Sequence, residues 1–181
     1  MPAITINVAV IHESQILLTK RQDFEVWCLP SGGVEDGESV AQAALRETKE
    51  ETGVDVELES LVGIYSRLGA LPDTHAVLFS ARPVGGKIQT QAGETIDVRY
   101  FPLDKLPKDM SFGHRQRIED AAKGIGGSIA VTQEMILPDG QKISPQDLIA
   151  ARKLPREVRL EYYQQAMESA ECRTKIDVCE M

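Results

Sequence analysis

The stretch from Gly32 to Val54 limits what this 181-residue chain can become more than any other. It opens in the loop Leu29-Pro30-Ser31-Gly32-Gly33-Val34 and runs into residues 39–52, which hold no Gly or Pro before Gly53. Ser39 is a candidate N-cap and Gly53 a candidate C′ residue, so the spacing predicts a helix over 39–52. At about 100° per residue, with Arg46 set to zero, Glu50 falls near about 40°, Glu47 near about 100° and Glu51 near about 140°. Three carboxylates therefore share one arc, with Arg46 at its edge. Ala41, Ala44, Leu45, Thr48 and Thr52 form a separate, mostly apolar stripe expected to pack on a sheet. Carboxylates at i,i+3 and i,i+4 repel one another, which a hard cation would relieve. Mg²⁺ or Mn²⁺ suits such oxygen ligands, and a carbonyl at Gly32 or Gly33, unshielded by a side chain, is a further candidate ligand. Taken alone, Glu47, Glu50 and Glu51 read equally as a solvated helix face.

Composition narrows the partners. Hydrophobic residues at 42% and charged residues at 27% fit a globular chain. The excess of 28 Asp+Glu over 20 Lys+Arg gives a formal charge of −8, which argues against a general nucleic-acid binder. A phosphate-bearing substrate stays compatible if metal ions stand between it and the protein. No apolar run of membrane-spanning length is present, and Met1 to Val8 alternates like a strand with no basic leader pattern. Cys28, Cys172 and Cys179 are an odd, dispersed set that suits reduced thiols. A cytoplasmic protein without membrane or nucleic-acid partners is expected.

Strand-like runs fall at residues 4–10, 15–19, 54–58, 61–65, 75–81 and 96–101, with Lys20 to Asp23 leaving the sheet and Gly85-Gly86 a candidate hairpin turn. A second helix is expected over 113–123. The class is α+β or a three-layer α/β/α sandwich. Gly124 to Ser128 marks a boundary between a main domain, 1–125, and a C-terminal appendage, 126–181. The appendage reads as a hairpin, Ile129 to Leu137 with Lys142-Ile143, followed by helices opening at Ser144 and Arg156. These helices are too small for a core of their own, so burial on the main domain or in a homodimer is expected, serving assembly rather than chemistry.

The pattern Gly32, five residues, Glu38, seven residues, Arg46-Glu47, two residues, Glu50-Glu51, one residue, Gly53-Val54 should arise by chance in on the order of one chain per million. It resembles the signature of the Nudix hydrolase family. Thr48 is the one departure, standing where the family has an apolar residue. Trp27 to Gly33 resembles the family's entry to this signature, and Glu94 to Leu103 with Leu106-Pro107 its late strand and turn. The resemblance covers roughly residues 3–124. It implies a Nudix-type α/β/α sandwich with a mixed sheet, and hydrolysis of a nucleoside diphosphate linked to another group. By the family pattern Glu47, Glu50 and Glu51 with Gly32 or Gly33 are implied metal ligands, Arg46 orients them, and Glu38 supports the loop. Metal-assisted attack of water on phosphorus is the implied reaction.

Outside the signature the candidates are weaker. Glu94 is a candidate ligand or general base, against a solvated loop acid. Lys20, Arg21 and Arg67 are candidate phosphate contacts, against plain surface charge. His75 reads as surface, Trp27 as core rather than a base-stacking platform, and Tyr162 and Tyr163 as packing residues. Cys28 lacks a histidine partner in sequence and reads as no nucleophile. The leading expectation is Mg²⁺-dependent cleavage of a small nucleotide such as ADP-ribose or an NDP-sugar. The alternatives are a nucleoside triphosphate pyrophosphohydrolase, a non-catalytic nucleotide-binding regulator, and an isoprenyl diphosphate isomerase, for which no acid-base pair is evident.

Overall fold

A computed structural model describes residues 2–125 and 129–178. Of the proposed joint Gly124 to Ser128, residues 126–128 lie outside the described residues, as does Cys179. The chain runs β1 (Ala3–His12), β2 (Gln15–Arg21), β3 (Trp27–Cys28), β4 (Ser31–Gly33), α1 (Val40–Thr52), β5 (Val54–Gly69), β6 (Thr74–Gly86), β7 (Thr95–Pro102), α2 (His114–Ala122), β8 (Ile129–Ile136), α3 (Pro145–Arg152), α4 (Arg156–Ser169) and β9 (Glu171–Val178). The main strand path is β3-β2-β1-β6-β5-β8-β9, with β4 also on β1 and β7 on β2. Pairing is mixed: β1 is parallel to β6 and β5 to β8, while the other ladders are antiparallel.

Two hydrophobic clusters cover opposite faces of β1. Ile6, Val8 and Val10 pack under Ala43 and Ala44 of α1. Ala9, Leu78 and Tyr65 pack with Ile118 and Ala121 of α2. Helix, sheet and helix thus form three layers, as expected for this class. The alternation of β1 predicts a half-buried strand, yet Asn7 and Ala9 are buried too. A strand with a parallel neighbour and helices on both faces has no wet side. Asn7 is tolerated there because Arg117 donates to its Oδ1 at 2.6 Å.

Several local expectations change. Lys20 and Arg21 stay in β2. The runs at 54–58 and 61–65 are one strand whose register shifts absorb the break in alternation. Gly85-Gly86 is no turn: it pairs with Val54 and Asp55 at the far end of the β5–β6 ladder. The hairpin predicted from Lys142-Ile143 does not form. Pro138–Gly140 is a 3-10 turn, and the Ile143 amide donates to the Ala70 carbonyl instead. The antiparallel partner of β8 is β9, while β5 flanks β8 on its other side. The segment after residue 128 therefore continues the main sheet. Its helices return to seal it: Leu148, Ala151 and Tyr163 pack with Phe24 and Val26, and Met167 with Leu71 and Phe112.

Candidate metal and phosphate site

The signature helix is fixed at both ends. Ser39 Oγ accepts from the Gln42 amide at 3.2 Å while Gln42 Oε1 accepts from the Ser39 amide at 2.8 Å, a reciprocal capping box. At the other end Gly53 takes a left-handed φ of 71° and its amide donates to the Lys49 carbonyl. Thr48, the departure from the family pattern, is fully buried and satisfies its hydroxyl by donating to the Ala44 carbonyl at 2.7 Å. Of the predicted apolar stripe, Leu45 is exposed and Ala43 is buried in its place, because the helix meets the sheet on the Ala43-Ala44 side.

Arg46 joins most of the acids. It forks onto Glu38 through Nε and Nη2 at 2.8 and 2.9 Å, donates through Nη1 to Glu47 at 2.9 Å and Glu50 at 3.1 Å, and reaches the Gly33 carbonyl at 3.1 Å. Its bonds to Glu38, then to Glu47 and Glu50, raise its pKa above the ordinary arginine value. The same fork, with the Glu35 amide, holds Glu38 down to about 2. Glu38 thus locks the loop onto the helix.

Glu51 is different. It is only 6% exposed, and its Oε2 accepts from the Ser31 amide at 3.0 Å. Burial pushes its carboxyl up to about 8, with the charges of Glu47 and Glu94 adding to the shift and Arg21 opposing it. Burial also raises Glu47. The Glu47 carboxylate lies against the backbone of Gly32, where a Cβ would sit 1.9 Å from its carboxyl carbon. Glu94 is exposed beside Gly93, anchored by the Gln22 amide donating to its carbonyl at 2.7 Å. Glu51, Glu94, Arg21 and Asp23 line one hollow of about 370 Å³. Among the described residues no three His, Cys, Asp or Glu side chains converge on a single point, since Arg46 holds Glu47 and Glu50. The donor chemistry nevertheless fits a divalent hard cation: every candidate ligand is oxygen, burial shifts two of the carboxyls up so that a bound cation would favour their ionised form, and Gly32 leaves backbone bare beside Glu47.

A second cavity of about 340 Å³ adjoins the signature loop at Ser31, Gly32 and Gly33. Arg21, Arg67, Arg117 and Arg152 line it, and no carboxylate does. Arg21 is half-buried, and its partial desolvation works against its charge, but its fork onto Asp23 at 2.9 and 2.6 Å raises its pKa. Arg117 is buried and brought down to about 10 by burial, yet stays charged at neutral pH. It is held by Asn7 and by Gln133 Oε1 at 2.8 Å. His114 accepts from the Leu29 amide at 3.0 Å and is kept neutral, first by burial and then by the neighbouring arginines.

Of the sequence candidates, Glu51, Glu94, Gly32, Gly33, Arg21 and Arg67 line these two hollows, while Arg46, Glu47 and Glu50 form a bonded group against Gly32 and Gly33. Lys20 is not among them: it pairs with Asp109 at 3.6 Å and sits over the Trp27 ring. His75 faces Ser66 at 3.0 Å. Trp27 is buried edge-on to Phe101, Tyr162 is exposed, and Cys28 is buried with its thiol pushed up to about 12 by burial. Sequence reasoning missed Arg117 and His114, which share one face of α2 at i,i+3, and Arg152 of α3.

A family model described as NUDIX domain matches residues 1–121. Among curated relatives, a putative 8-oxo-dGTP diphosphatase of Bacillus subtilis is 37% identical over 65% of this chain and 78% of its own length. An ADP-ribose pyrophosphatase of Methanocaldococcus jannaschii is 34% identical over 66% of this chain and 72% of its own. Among solved structures, an ADP-ribose pyrophosphatase from Streptococcus suis superposes with a TM-score of 0.60 at 28% identity, covering 68% of this chain and 92% of that one. With the capped signature helix, the three-layer fold and these matches together, the chain belongs to the Nudix hydrolase family.

Proposed function

We propose that the protein is a Mg²⁺- or Mn²⁺-dependent pyrophosphohydrolase acting on a nucleoside diphosphate linked to another moiety, such as ADP-ribose or an NDP-sugar. The observation that carries this reading is the junction of opposite charges. A cavity lined by four arginines and no carboxylate opens beside a cluster of glutamates, in a chain of net charge −8. Such a junction suits a polyphosphate whose one end is met by arginine and whose other end shares cations with carboxylates. Glu47, Glu50, Glu51 and the Gly32 or Gly33 carbonyl would hold the metal. Bound there, it supplies charge neutralisation at the phosphates and a more acidic water.

The chain's own residues do the rest. Arg46 holds Glu47 and Glu50 in place and takes its own orientation from Glu38. Arg67 and Arg117 bind phosphate oxygens. Glu94, exposed on the rim beside Glu51, accepts the proton from the attacking water. The water oxygen bonds to phosphorus, the bridging P–O bond breaks, and its electron pair leaves with the departing phosphate.

In organisation, we propose residues 1–125 as the catalytic unit, with homodimerisation through 126–181 in the cytoplasm. Ile149 of α3, Val158 of α4 and Leu154 between them expose apolar area. Among the described residues no helix is long and apolar enough to cross a membrane. The test is a nucleotide panel with Mg²⁺, resolved by product. AMP and ribose 5-phosphate from ADP-ribose is the expected result. Nucleoside monophosphate and pyrophosphate from triphosphates alone would replace it with the triphosphate reading suggested by the Bacillus relative, and binding without turnover would indicate a regulator.

A further inference from the structure

We propose that the C-terminal appendage is a wall of the substrate site, and that Arg152 and Tyr163 are substrate-binding residues supplied by it. The inference rests on the pyrophosphohydrolase reading and deepens it. It departs from the expectation that the appendage serves assembly rather than chemistry.

Arg152 ends α3 and lines both hollows, the one holding Glu51 and Glu94 and the one lined by arginines. Its side chain is about half exposed at 49% and turns toward the main domain, where its Nε meets Asp23 Oδ2 at 3.1 Å. Asp23 is already forked by Arg21, so one carboxylate serves two guanidiniums and leaves net positive charge facing the cavity. Arg67 adds an independent sign of an anionic ligand. It lines the same cavity, its Nη2 donates to the Pro72 carbonyl at 2.9 Å, and its buried Nε has no hydrogen-bond partner among the described residues. A buried guanidinium donor left unpaired is costly unless something comes to accept from it. Tyr163 of α4 lines the same cavity as the signature loop and stacks on Phe24, with centroids 4.8 Å apart and planes 23° from parallel. Arginines for phosphates beside an aromatic wall for a planar ring match a nucleotide, and two of these elements come from beyond residue 128.

The test uses the full-length protein. KM and kcat for ADP-ribose with Mg²⁺ are measured for Arg152→Ala, Arg152→Lys, Tyr163→Ala and Tyr163→Phe. Equilibrium binding of ADP-ribose is measured in the Glu51→Gln background with and without Arg152→Ala. Arg156→Ala controls for docking, because Arg156 pins the appendage to Glu25 at 2.6 Å outside the cavity. The expected result is a KM about tenfold or more higher for Arg152→Ala and Tyr163→Ala, with kcat within about threefold, the scale of one lost charge-assisted contact. Arg152→Lys and Tyr163→Phe should recover most of the loss, and Arg156→Ala should leave KM near the parent value. KM and binding unchanged in Arg152→Ala and Tyr163→Ala overturn the inference, as does an equal loss in Arg156→Ala. If the parent hydrolyses nothing on the panel but binds ADP-ribose in an Arg152-dependent way, the wall stands and the hydrolase reading falls. If it neither hydrolyses nor binds any panel nucleotide, both fall.

Discussion

Replacing Glu51 by Gln should move stability and activity in opposite directions. Glu51 is buried and its carboxyl is shifted from 4.5 up to about 8. At about 1.4 kcal/mol per unit, its charged form is disfavoured in the metal-free fold by roughly 5 kcal/mol. The folded-state value lies above the unfolded one. The carboxyl's stabilising contribution is therefore fully present below about pH 4.5 and is lost as pH rises through about 8. Gln keeps an acceptor for the Ser31 amide, which reaches Glu51 at 3.0 Å, and carries no charge. Its amide hydrogens are buried without ready acceptors, a cost of about 1–3 kcal/mol. The difference leaves Glu51→Gln more stable than the parent by roughly 2–4 kcal/mol at pH 8.5, and level or less stable at pH 5. Urea denaturation in EDTA at the two pH values measures this. With Mg²⁺ the parent should lose its pH slope, because a cation holds the carboxylate ionised. Turnover at saturating substrate should fall by about two orders of magnitude or more. A variant that is destabilised at pH 8.5 in EDTA refutes the electrostatic account, and near-parental turnover refutes the assignment of Glu51 to the site.

Gly32→Ala should fold normally and lose about 100-fold in activity, since the new Cβ would land 1.9 Å from the Glu47 carboxyl carbon and drive that flexible group aside. Circular dichroism beside turnover separates the two effects. Activity should vanish in excess EDTA and return with Mg²⁺ or Mn²⁺ but hardly with Ca²⁺, whose looser coordination misaligns water and phosphate; full activity in EDTA would remove the metal from the reaction. Ending the chain at residue 125 should leave α1 helical, because its cluster takes nothing from the appendage. It should lower Tm by uncovering the core that Ile129 and Val131 join, and raise KM. Sedimentation of the two lengths tests the dimer, with a monomeric full-length chain counting against it.

The candidate site was most legible where chemistry is written locally. Arg46, Glu47, Glu50 and Glu51 lie within two turns of one helix whose start and stop residues stand in the sequence, and the observed caps are Ser39 and Gly53. What pairs at long range was less legible. Gly85-Gly86 has turn composition but spends it opposite Val54 and Asp55. β9 does alternate, Cys172, Thr174 and Ile176 against Glu171, Arg173, Lys175 and Asp177, but its short, weakly apolar face reads as a polar tail until β8 is there to pair with it. Asn7 looked like an outward-facing residue because its partner, Arg117, is 110 positions away. Arg152 and Tyr163 belonged to helices whose apolar spacing suggested packing, and only the tertiary fold turns them toward the signature loop.

The parallel pairing of β5 with β8, Gly63 against Ile129 through Gly69 against Met135, has a consequence for the order in which the protein becomes competent. A chain emerging from its N-terminus can assemble the glutamate cluster once Thr95 is free, because α1, β1, β4 and the Glu94 loop are all in hand by then. The cavity facing that cluster stays open on one side until α3 and α4 have followed β8 back across the sheet. A growing or shortened chain thus holds acids poised for cations well before it holds a wall against which a nucleotide can rest. Charge chemistry matures early and selectivity late, separated by the synthesis of roughly seventy further residues, several seconds at ordinary translation rates.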